Sequence, residues 1–217
     1  MRTPQTTRQS DMRMADAVGR FMDRHFYSVL GERWERVTNP HLQRRGVDVV
    51  FGGCRIDEKV KIKGGFANRL LEYPSFELSF INRAGIRQDG WFLDETCLTE
   101  YYCFIAVFGD FVDETGVEYR KIRKLNAMFV KRDEIRGYVS KCGINLRSDI
   151  ASVTEYEGID RVGHDGTGIH VKYTDRFQEM PVNMVVRRDV LYGLDSTREF
   201  EIGDVYVEDT VNGSPRG

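Results

Sequence analysis

The feature that most constrains this chain is a pair of glycines, Gly52-Gly53, set between two short runs of alternating character. Residues 46–51 (GVDVVF) and 54–62 (CRIDEKVKI) have the apolar spacing of strands. A Gly-Gly link between such runs is a hairpin signal, because it accepts the positive φ of a two-residue turn. With Gly52-Gly53 as the loop, Phe51 faces Cys54, Val50 faces Arg55, Val49 faces Ile56 and Asp48 faces Asp57. Opposed residues share a face with Cβ atoms about 5 Å apart, and side chains alternate along each strand. One face then carries Val47, Val49, Phe51, Cys54 and Ile56, with Val60 and Ile62 beyond, and the other carries Asp48, Val50, Arg55, Asp57 and Lys59. A one-residue slip would exchange Asp57 for Glu58 and bring Ile56 onto the polar face, which the apolar pattern argues against.

Two facing carboxylates repel unless a proton or a cation neutralises them. Oxygen ligands of this kind suit Mg²⁺ or Mn²⁺; Mg²⁺ takes one or two protein carboxylates and fills its shell with waters and substrate phosphate. A metal so held polarises a phosphodiester and lowers the pKa of bound water. Lys59, two residues beyond Asp57 on the same face, is positioned to orient or deprotonate the attacking water, or to stabilise charge on the phosphate. The bland alternative is a cross-strand salt-bridge cluster on a solvated face, worth about 0–1 kcal/mol.

The rest of the chain supplies a scaffold. Residues 11–30 have helical periodicity, with Met14, Val18, Phe21, Met22 and Phe26 recurring at three- and four-residue steps. Residues 76–81 alternate as a strand, and 90–93 suit a short partner. The aromatic, nearly continuous apolar run at 100–111 suits a strand buried on both faces. A strand is expected at 124–131 and a helix at 133–141, acidic at its start and closed by Gly143. Glu77 points opposite to Phe76 and Leu78, and is a candidate to extend the metal shell or to hold Lys59. The fold class expected is α/β (α+β), a central mixed sheet flanked by helices with a smaller β-rich C-terminal part. The layout expected is a disordered 1–10, a core over 11–143, a β-rich extension over 144–205 packed on it, and a disordered tail over 206–217.

Composition narrows the function classes. The net charge is −2 and the pI about 6.1, so any nucleic-acid contact must come from a local patch and not from the average field. Arg44, Arg45, Lys61 and Lys63 flank the hairpin as candidate phosphate contacts, as do Lys121, Arg123, Lys124, Lys131 and Arg132 around the 124–131 strand. No run approaches the ~18 apolar residues of a membrane span. The N-terminal charges have no apolar stretch behind them, so a cytoplasmic location is expected. The four cysteines form no C-x-x-C pair, and His164 and His170 have no cysteine close in sequence to share a zinc ion.

The stretch GVDVVF … IDEK resembles the PD-(D/E)XK, or restriction-endonuclease-like, superfamily. That pattern is an acid on one strand, Asp/Glu-x-Lys on its antiparallel neighbour, and a helix upstream. Asp48 matches the first acid, Asp57 the second and Lys59 the lysine; Val47 stands where the family commonly has proline. The resemblance covers roughly residues 10–130. It implies a Mg²⁺- or Mn²⁺-dependent nuclease acting on DNA, with Asp48, Asp57 and Glu77 at the metal and Lys59 at the nucleophilic water. It also implies an acidic contribution from the first helix, for which Asp16 and Asp23 are the candidates. The alternative is a catalytically inactive module of the same fold that binds nucleic acid or a protein partner, a second copy of the chain included.

Overall fold

A computed structural model of the chain describes residues 4–61, 74–111, 117–156, 158–175 and 179–210. Its first helix, α1 (Pro4–Met22), continues into a π-helical turn at Asp23–Tyr27. The helix starts at Pro4, ahead of the expected Asp11. Proline suits the first helical turn, where its missing N–H has no intrahelical partner to lose. Met14, Ala17, Val18, Phe21 and Met22 line its buried face, and Phe26 and Tyr27 extend it.

Two sheets follow. The first runs β1 (Trp34–Arg36), β2 (Val49–Phe51), β3 (Cys54–Lys61), β6 (Tyr101–Gly109), β7 (Ile122–Lys131), β11 (Arg198–Gly203) and β12 (Val207–Asp209), in that spatial order. All its pairs are antiparallel except β3 with β6, so the sheet is mixed. The second sheet is antiparallel in the order β5 (Arg87–Asp89), β4 (Ser75–Ile81), β10 (Val182–Val186), β9 (Ile169–Tyr173) and β8 (Arg161–His164). The fold is therefore α+β.

The β6 run is apolar throughout because both its faces are covered. Cys103, Ile105 and Val107 pack with α1 residues, while Tyr102, Phe104 and Ala106 pack with Phe76 and Leu78 of β4 and Val182 and Met184 of β10. The central sheet is covered by α1 on one side and by the second sheet on the other. Helices α3 (Arg132–Lys141) and α4 (Leu146–Glu155) add to the core on the second-sheet side, alongside the short α2 (Pro40–Gln43) and α5 (Arg188–Tyr192) elsewhere.

The expected split at residue 143 is also not how the sheets divide. Strand β10 pairs with β4, and β11 pairs with β7, so the C-terminal third completes both sheets. Its strands alternate as half-buried strands do, with Val182, Met184 and Val186 inward. Strand β12 lies inside the expected tail, because it pairs with β11 from Phe200–Asp209 to Ile202–Val207. Among the described residues no helix is long and apolar enough to cross a membrane.

Candidate active site

The hairpin forms in the expected register: Val49 pairs with Ile56, Val50 with Arg55 and Phe51 with Cys54. Gly52 and Gly53 both have positive φ, at 56° and 84°, the conformation that makes Gly-Gly the right loop. Beyond Val49 the register breaks: the Asp48 N–H donates to the Ile56 carbonyl at 2.9 Å, so Asp48 and Val49 both face Ile56 as in a β-bulge and Asp48 is not paired with Asp57. The surroundings differ as well. Asp57 is not open to water but lies next to Tyr102, whose side chain packs with the second sheet, while Lys59 is half-buried.

Asp57 is consequently 1% exposed. Burial pushes its carboxyl up to about 7, the Lys59 ammonium opposes that rise, and the neighbouring Asp48 carboxyl adds to it. Its Oδ2 lies 2.9 Å from Lys59 Nζ. That contact is an ion pair at charge-assisted hydrogen-bond distance. Asp48 is half-buried, and its Oδ2 accepts from the Glu58 N–H at 2.8 Å. Two carboxylates thus converge, one of them buried with a single ammonium against it. Hard oxygen donors of this number fit Mg²⁺, which completes its shell with water and substrate. Among the described residues no three of His, Cys, Asp and Glu cluster as ready metal ligands.

Glu77 stands on β4, half-buried, where desolvation raises its carboxyl and the Lys59 ammonium opposes the rise. The Lys59 ammonium also sits over the Trp91 ring, 3.6 Å from its centroid. Nothing local in the sequence links Trp91 to Lys59.

The site has a built floor. Gly46 has φ +74°, and a Cβ there would lie 2.5 Å from Thr99 Oγ1 and 3.0 Å from Cys97 Sγ, with Asp57 Oδ2 3.9 Å away. Thr99 Oγ1 donates to the Gly46 carbonyl at 2.6 Å. The loop after β5 is held by Arg132, whose Nη2 donates to the carbonyls of Trp91 (2.8 Å), Phe92 (3.1 Å) and Asp94 (2.7 Å). Arg132 is therefore buried beneath that loop and is no phosphate contact.

The other expected residues disperse. Asp16 pairs with exposed Arg20. Asp23 pairs with Arg36, which also holds Glu58, and Tyr27 Oη donates to Glu58 at 2.8 Å. This cluster lies on the opposite side of the sheet from Asp57, since Glu58 alternates with it along β3. The expected apolar face of the hairpin thus carries a buried carboxylate, a consequence of the Ile56–Val60 alternation that was readable in the sequence. Arg55 pairs with Glu100, and Arg45 Nε donates to the Thr96 carbonyl at 2.8 Å. Arg44 has an exposed side chain. Lys121 pairs with Glu118, Arg123 with Asp110 and Lys124 with Glu201, which neutralises most of the second basic patch. The Lys61 side chain and Lys63 lie outside the described residues. His164 pairs with Asp149, Nε2 to Oδ2 2.8 Å.

No family model, curated protein or solved structure matches the chain.

Proposed function

We propose that this protein is a metal-dependent nuclease of the restriction-endonuclease-like kind, hydrolysing phosphodiester bonds of DNA with Mg²⁺ or Mn²⁺. The observation that carries the reading is the Asp57 carboxylate, buried beside Asp48, with Lys59 Nζ 2.9 Å from its Oδ2. Asp48 and Asp57 would hold the cation, which supplies charge neutralisation on the phosphate and a more acidic water. Lys59 is the cation of the Asp57-x-Lys59 motif, and can donate to the attacking water or to a phosphate oxygen. Glu77 and Trp91 keep that ammonium in the site. Exposed Arg44, just before the hairpin, is a candidate for the substrate backbone.

A second reading, an inactive nuclease-fold module that binds nucleic acid or a protein, draws on the closure of the cluster: Asp57 is buried and Lys59 is already paired. Calorimetric titration with Mg²⁺ and Mn²⁺ separates the two. A nuclease binds the cation, and Asp57→Asn abolishes that binding while the circular dichroism spectrum stays unchanged. Absence of binding to the unaltered protein would count for the module and against the enzyme.

A further inference from the structure

Lys59 has more holding it than an Asp-x-Lys motif requires. Its ammonium is in ion-pair contact with Asp57, faces the charge of Glu77, and lies on the Trp91 ring. A cation replacing it at Asp57 would cancel the first of these attractions. The Trp91 contact would survive, since an ammonium is drawn to the negative face of an indole independently of the carboxylate.

The ring is itself placed with care. Gly90 N–H donates to the Leu78 carbonyl at 2.8 Å and Phe92 N–H to the Glu77 carbonyl at 3.2 Å, which fastens the chain on either side of Trp91 to β4. Gly90 presses so closely on this strand that a Cβ would lie 2.5 Å from the Glu77 carbonyl oxygen. Arg132 takes the Trp91 carbonyl from the other side. Strand β4, Arg132 and the loop thus aim one indole face at one lysine. Half-buried Trp91 has its ring face taken by Lys59, which argues against use as a base-stacking platform.

We propose that Trp91 is the positioning residue for Lys59, keeping its ammonium at the site when a divalent cation occupies Asp48 and Asp57. The inference rests on the nuclease reading of that site. Two arms test it. In protein labelled with ¹³C-lysine, the Lys59 ε-methylene protons, identified by their loss in Lys59→Ala, are expected upfield of the other lysines through the ring current. That displacement should persist in saturating Mg²⁺, vanish in Trp91→Ala and return in part in Trp91→Phe. In cleavage of linear DNA, Trp91→Ala should lower kcat about tenfold with little change in KM, and Trp91→Phe should recover most of the loss. An unshifted Lys59 resonance, or one that relaxes to the ordinary position on Mg²⁺ addition, overturns the proposal. So does a Trp91→Ala protein that cleaves as fast as the unaltered one. Should the unaltered protein not cleave at all, the nuclease reading has failed, and the resonance alone decides whether Trp91 holds Lys59.

Discussion

Asp57 and Lys59, two residues apart on β3, form an ion pair of 2.9 Å in which the carboxylate is 1% exposed. Desolvating a carboxylate disfavours its charge, the like-charged Asp48 adds to that cost, and one lysine does not fully repay it. The pair is therefore a place where stability has been given up.

The pH dependence follows. In the unfolded chain Asp57 titrates in the ordinary carboxylate range near 4, and in the fold at about 7. Between those values the folded state binds more protons, so stability falls as pH rises from about 4 to about 7 and this contribution is then constant. Asp57→Asn removes it. In metal-free solution at pH 8 the variant is expected to be more stable by about 2–4 kcal/mol. Denaturant unfolding at pH 5 and pH 8 checks this; a variant equally destabilised at both would contradict it.

Mg²⁺ should reverse that ordering. A ligand that binds only the folded state raises its stability by mass action. Thermal unfolding at pH 8 is expected to move upward with Mg²⁺ for the unaltered protein and to stay fixed for Asp57→Asn. An equal upward shift in both would place the cation elsewhere.

Gly46→Ala should damage the floor of the site. Its φ of +74° disfavours any side chain, and the new Cβ would meet Thr99 Oγ1 at 2.5 Å. Left-handed strain and the displaced Thr99 hydrogen bond together cost about 2–3 kcal/mol. Chemical denaturation reads the loss, and Thr99→Ala in the same background should relieve part of it.

On the far side of β3, Arg36 is the cation that neutralises buried Glu58, and it also binds Asp23. Arg36→Met leaves Glu58 charged and desolvated, a loss of about 3 kcal/mol. The double variant Arg36→Met with Glu58→Gln should recover much of it. Because Glu58 N–H also holds the Asp48 carboxylate, Mg²⁺ affinity should weaken in the single variant by more than in the double.

The hairpin was legible because its information is local: one turn signal and a period of two set the Val49–Ile56 to Phe51–Cys54 register without reference to the rest of the chain, while the bulge at Asp48 was not readable. The two-sided burial of β6 was legible for the same reason. What covers the Asp57 face was not, since β4 meets β10 roughly a hundred residues away and each looks like an ordinary half-buried strand alone. Lys59 on Trp91 and Arg132 under its loop are likewise products of long-range closure. Helix α4 had a readable start, Asn145, whose side chain accepts from Ser148 N–H at 3.1 Å, but the polar residues after Gly143 obscured its apolar face of Leu146, Ile150 and Val153.

The most direct test of the central claim is cleavage of linear, circular and single-stranded DNA as Mg²⁺ and Mn²⁺ are titrated, with Asp57→Asn and Lys59→Ala run beside the unaltered protein. Metal-dependent cleavage that both substitutions abolish, with folding intact, is the predicted result. Absence of cleavage with either metal on all three substrates, or cleavage that survives both substitutions, would contradict it.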